Sequence, residues 1–194
     1  MKKILLFLTI FLFTNMTFFD GGSKCPPKGD SAKEKLQNLD TLKNRSTISN
    51  TVVKLSLDDV MKPGDDTKRF SENTFVDVTG YVFDVKYGGA ETCNCHTTDK
   101  TQLDIHIEIV QDLAHPDKTK RMIVEINRFI RAKDPNMDYN VVKLLKGKKV
   151  ELTGWLFFDE EHKQNAINTK PDGTNVWRGT CWEVHPCMSI KEVK

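Results

Sequence analysis

Between Leu103 and Val110 apolar and polar positions alternate without a break, Leu103, Ile105, Ile107 and Ile109 falling on one side and Asp104, His106 and Glu108 on the other. A period of two is that of a strand with one buried face. The Val-, Phe- and Tyr-rich run Phe75–Tyr87 has strand chemistry. So does "RMIVEINRFI" (121–130), joined to the alternating segment by the polar turn "QDLAHPDKTK". The pattern then changes. In "DYNVVKLLKGKK" Val141, Leu144 and Leu145 share a helical face and Gly147 stops the helix. "VELTGWLFFD" (150–159) is a fourth strand. "GTCWEVHPCMSIKEV" (179–193) is a fifth, with Thr180, Trp182, Val184 and Met188 alternating against Cys181, Glu183, His185 and Cys187.

Two of these strands share a phrase, "VDVTGYVFD" (76–84) and "VELTGWLFFD" (150–159). Glycine inside a strand weakens it unless a bulge or tight bend requires it, so Gly80 and Gly154 predict two strongly bent strands. Three strands, a short helix and two more strands is the element order of an OB-fold. The expected fold is mainly β: a five-stranded OB-fold-like Greek-key barrel with one short helix.

Ahead of the barrel the pattern is different. "MKK" followed by "ILLFLTIFLFTNMTFF" has the n-region and h-region of a secretory signal. Residues 1–23 are read as a signal peptide, with Gly21, Gly22 and Ser23 as cleavage candidates and a retained anchor as the alternative. Cys25 is a candidate for lipid acylation, though Lys24 is not the small residue such processing prefers. Residues 24–50 read as a polar linker, with a weak helical stretch at Leu36, Leu39 and Leu42, and residues 51–194 as the OB-fold-like domain. Export places the protein in the periplasm or outer envelope, where thiols tend to be oxidised. Charged residues make up 29% of the chain but the net charge is only +2, so electrostatic recognition has to be local.

Candidate chemistry gathers in the long loops after the first and fourth strands, "KYGGAETCNCHTTDKTQ" and "DEEHKQNAINTKPDGTNVWRG", the two an OB-fold uses for ligands. Cys93, Cys95 and His96, completed by His106, His162 or His185, could ligate zinc or another divalent metal. Disulfides from Cys93 or Cys95 to Cys181 or Cys187 are the competing reading. On the strands, Asp104, His106 and Glu108 with Glu183 and His185 are either a solvated face or a carboxylate–imidazole cluster for metal binding or acid–base work, which makes His106, Glu183 and His185 the catalytic candidates. Trp177, Arg178, His162, Lys163, Asn168 and Arg128 are the ligand-contact candidates, because single strands bind by stacking on aromatics in a basic groove. Asp159, Glu160 and Glu161 oppose a phosphate ligand.

The segments "VTGYVFDVKYGGAETCNCH", "LDIHIEI", "LTGWLFFDEEHKQNAINTKP" and "WRGTCWEVHP" resemble a group of uncharacterised bacterial exported OB-fold proteins described as nucleic-acid-binding proteins or lipoproteins. The resemblance covers most of residues 75–190 and implies the fold; its nucleic-acid label is a fold analogy. No G-x-S-x-G, phosphate-binding glycine loop or H-E-x-x-H occurs. A binding module, with single-stranded nucleic acid, an oligosaccharide or another anion in the groove between the two loops, therefore stands ahead of a nuclease-like metal-dependent hydrolase. A non-catalytic envelope interaction domain is the third reading. A membrane tether through the N-terminus belongs to all three, and nothing in the sequence calls for an obligate oligomer.

Overall fold

The computed structural model describes residues 25–194; residues 1–24, and with them the expected signal peptide, lie outside the described residues. Among the described residues no helix is long and apolar enough to cross a membrane. The strands are β1 (Val53–Leu55), β2 (Phe75–Tyr87), β3 (Ile105–Val110), β4 (Met122–Ile126), β5 (Lys149–Phe158) and β6 (Trp182–Glu192). They form one sheet in the order β1-β2-β3-β4-β6-β5, and β2 also pairs with β5. That second pairing closes β2 to β6 into a five-stranded, OB-fold-like barrel, with β4 and β6 parallel and the other barrel pairs antiparallel. β1 lies outside the barrel and pairs in parallel with β2.

The alternation in the strands is used as expected at the centre. Val78, Val82, Ile107, Val124, Leu152 and Leu156 point inward and are fully buried. The two similar phrases turn out to be partners. Val76 faces Gly154, Asp77 faces Thr153, Val78 faces Leu152, Thr79 faces Glu151 and Gly80 faces Val150, so each copy pairs with the other running backwards. A Cβ on Gly154 would run into the Pro186 carbonyl and lie 2.5 Å from Val184 Cγ1, which is why this bent position has no side chain. The β5–β6 register shifts on both sides of Gly154. Those shifts break the strict alternation expected for the last strand: Cys181, Trp182, Val184 and Cys187 are all core residues, whereas Glu183 and His185 face outward.

The expectation of one short helix is too sparse. Among the described residues four α-helices occur: α1 (Glu34–Lys43), α2 (Leu57–Met61), α3 (Arg128–Lys133) and α4 (Tyr139–Val142), the last falling in the predicted helical stretch. α2 begins at a capping box, where the Ser56 side chain accepts from the Asp59 N–H and Asp59 accepts from the Ser56 N–H.

Residues 25–47 run along the barrel as a strap, where a polar linker was expected. Cys25 is disulfide-bonded to Cys95. Asn44 Nδ2 donates to the carbonyls of Pro27 and Cys93, Asn127 Nδ2 donates to that of Lys43, and Arg128 donates to those of Cys25 and Cys93. Trp155 Nε1 holds the far end through the Thr47 carbonyl. The Cys25 sulfur is bonded to Cys95, and this corrects one expectation: the disulfide joins Cys95 to the strap and not to Cys181 or Cys187. Cys93, Cys181 and Cys187 are buried free thiols.

Candidate metal centre

The outer faces of β3, β4 and β6 carry the residues that sequence alternation placed away from the core, yet every residue of β3 and β4 is buried. α1 packs on β6, and the loop after β5 brings Arg178 to Glu183 on β6 and Trp177 beside His106 on β3. Strand register decides which polar side chains meet. His106 stands opposite Glu125 across the β3–β4 ladder, and the parallel β4–β6 pair aligns Val124 with Val184, which brings His185 beside Glu125. Asp104 comes from the approach to β3 and Glu183 from β6.

The result is an imidazole inside a ring of carboxylates. His185 has no solvent exposure. Its Nε2 lies 3.2 Å from Asp104 Oδ2, and its Nδ1 lies 3.6 Å from Glu125 Oε2 and 3.5 Å from Glu183 Oε2. None of these approaches has hydrogen-bond geometry, and both ring nitrogens are left without a partner, as are Asp104 Oδ1 and His106 Nε2. Native interiors seldom leave buried polar atoms unpaired, so each such group needs an explanation. One donor atom each from Asp104, Glu125 and His185 lie within 4.8 Å of one another. Ligands to one ion stand at about 2.0–2.2 Å from it, so a slight contraction would bring these three onto a shared centre. His106 Nδ1 and Glu125 Oε1 are 2.7 Å apart, the carboxylate–imidazole pairing that orients a metal ligand or a base.

Electrostatics fit the geometry. Burial disfavours a charged His185, but the attraction of Asp104, Glu183 and Glu125 outweighs it and pushes the pKa up to about 10. Burial also raises Glu125, despite the opposing pull of His106 and His185.

Around this cluster sit fixed cations. Arg178 is fully buried and bridges Asp159 at 2.9 Å and Glu183 at 2.8 Å through the same nitrogen. Burial works against its charge, but those two carboxylates raise its pKa. Arg121 and Lys86 pair with Glu108 at 2.7 and 2.9 Å. From the strap, Lys43 pairs with Glu91 at 2.6 Å, and its pKa is raised well above the ordinary value because the carboxylates of Glu91 and Glu125 outweigh burial. Lys43, Glu91, Phe157 and Asp159 help line a cavity of about 210 Å³ between α1 and the loop after β5.

Of the sequence candidates, His106, Glu183 and His185 are brought together. Cys95 is consumed by the disulfide, and His96 is exposed, 3.7 Å from Asp30, so the proposed Cys-Asn-Cys-His ligand group does not form. Cys93 is buried, with Sγ 3.6 Å from Glu91 Oε2, and burial pushes its thiol pKa up, which leaves it protonated. Among the ligand-contact candidates, Arg128, Asn168 and Arg178 are interior residues tied to protein partners, which corrects their assignment to an open groove. Trp177, His162 and Lys163 are half-buried, the Trp177 ring lying between His106 and His162 at 6.2 and 5.6 Å. Sequence reasoning missed Glu125, Arg121 and Lys43. Glu125 is the lone polar residue inside "MIVEI", a signal that an outward-facing charge was being kept on an otherwise apolar strand.

No family model matches the chain, and no curated protein matches it. Among solved structures, it is similar to asparaginyl-tRNA synthetase of Entamoeba histolytica at 14% identity and a TM-score of 0.38. The same enzyme in complex with asparaginyl-adenylate gives 15% identity and a TM-score of 0.37. Each match covers 75% of this chain and 24% of the synthetase, so the chain spans only a small part of those proteins. A likeness this slight transfers no activity.

Proposed function

We propose that this protein is an exported, OB-fold-like domain that binds one divalent transition-metal ion on the outer face of its barrel. The observation that carries the reading is His185, fully buried among Asp104, Glu125 and Glu183 with neither ring nitrogen hydrogen-bonded. Mixed imidazole and carboxylate donors suit zinc and its transition-metal neighbours, whereas calcium and magnesium prefer all-oxygen shells. Asp104, Glu125 and His185 are the ligands, and His106 and Glu183 complete or orient the shell. The Cys25–Cys95 disulfide supports export, since such bonds persist in oxidising compartments.

The test is elemental analysis of protein purified without chelator, together with zinc and manganese titrations followed by thermal unfolding. About one equivalent of metal and a raised Tm are expected for the wild type, with both lost in His185→Ala. Protein that is metal-free and unaffected by either ion would refute the reading.

A hydrolytic use of the ion is favoured by the His106–Glu125 pair, a base with its orienting carboxylate. Single-stranded nucleic acid or an oligosaccharide as partner rests on Trp177, His162 and Lys163 at the edge of the same face. Quenching of Trp fluorescence by an oligonucleotide at low salt tests it.

A further inference from the structure

We propose that the strap of residues 25–47 is a disulfide-fastened cover that controls exchange of the metal ion, an inference that rests on the metal-binding reading above. The strap is placed for this. α1 packs on β6, the strand that carries His185 and Glu183, and on the 3-10 turn Thr92–Asn94 beside the disulfide. Lys43, on its last turn, is almost entirely enclosed and acts electrostatically on Glu125 as well as on Glu91. Glu91 is in turn within the electrostatic reach of His185. Lifting the strap therefore uncovers the side of the cluster toward which Lys43 points.

The fastenings are unequal. Toward its middle and far end the strap is held by hydrogen bonds from Asn44, Asn127 and Trp155, each of which can open and re-form. At its start it is held by the Cys25–Cys95 bond, with Arg128 donating to the Cys25 carbonyl. The strap also threads a tight passage: Gly29, at φ 67°, lies so close to Asp40 and Thr92 that a Cβ there would collide with both. Opening by fluctuation needs the whole set released together. While the disulfide holds one end beside the loop after β2, that opening stays partial.

Reduction removes this limit. A dithiol gives two electrons and two protons, the S–S bond breaks, Cys25 and Cys95 become thiols, and the dithiol closes to its own disulfide. The strap's first residues then lose their covalent fastening, and the covered face opens more often. The oxidised protein keeps its ion; the reduced protein exchanges it.

The experiment is transfer of zinc from the loaded full-length protein to an excess of a colorimetric chelator, followed with time. It is run with and without a water-soluble trialkylphosphine, which takes its oxygen from water and leaves the two thiols protonated. Release at least about tenfold faster after reduction is expected. Cys25→Ser/Cys95→Ser should release at the fast rate with or without phosphine, which excludes zinc capture by the new thiols. If that variant does not fold, the wild-type pair of rates still decides. Stoichiometric zinc released at the same rate in both redox states overturns the cover while leaving the metal centre standing. Failure of either form to take up zinc overturns both.

Discussion

At the scale of single residues, the centre depends on charges that have no solvent to fall back on. Arg178 neutralises Asp159 and Glu183 from a fully buried position. Removing one partner from a buried ion pair leaves the other uncompensated, at a cost of about 3–5 kcal/mol. Arg178→Leu should destabilise the fold by that order in urea unfolding. Arg178→Lys should recover only part, because a point charge cannot reproduce the planar guanidinium that also donates through Nε to the Thr180 carbonyl. His162 offers a pH-dependent counterpart. Its hydrogen bond with Asp159 raises its pKa above the ordinary value of about 6.5, against partial burial. Its contribution is therefore fully present below about pH 6.5 and is lost as pH rises through the raised folded value. The stability difference between wild type and His162→Gln should shrink from pH 5.5 to pH 9, starting below about 1 kcal/mol because the ring is partly exposed.

Secondary-structure elements show how the repeated phrase works. Its two copies are antiparallel neighbours in the barrel wall, so the similarity is a local two-fold match, Val76 to Gly154 and Gly80 to Val150. The glycines nonetheless differ. A Cβ at Gly154 meets backbone, including Cys187 Cα at 2.9 Å, whereas at Gly80 it meets the mobile end of Leu57 at 2.8 Å. Overpacking costs about 1–3 kcal/mol. Gly154→Ala should reach the upper end and Gly80→Ala the lower, read from urea midpoints at constant m. The barrel was legible because alternation and element order are local properties of the chain: Ile105, Ile107 and Ile109 face inward as their spacing demands. The last strand was misread beyond His185 because it carries one extra residue against β5 on each side of Cys187, and a reading by strict alternation does not register such bulges. His106, His185 and Glu183 were picked out for their chemistry. That they converge on Glu125 depends on β4–β6 pairing across more than fifty residues of chain, which no periodicity encodes.

For the whole molecule, the decisive feature is that the barrel's outer face is covered by its own chain. The polar composition of residues 25–50 reads as linker because the strap is held largely through carbonyl oxygens, the Lys35–Glu160 and Lys43–Glu91 ion pairs and one disulfide. A disulfide between residues 70 apart restricts the unfolded chain, and losing it should lower stability by about 2–5 kcal/mol in Cys25→Ser/Cys95→Ser, measured by urea unfolding of the metal-free protein. Under this cover lies a buried histidine with three carboxylates and no hydrogen bond, an arrangement that a divalent ion satisfies. The most direct measurement is an anomalous difference map recorded at the zinc edge from crystals grown with zinc. A single strong peak about 2.0–2.2 Å from a His185 nitrogen and from oxygens of Asp104 and Glu125 is the expected result. A map with no peak there, in protein whose surface sites do take up zinc, would contradict the metal centre.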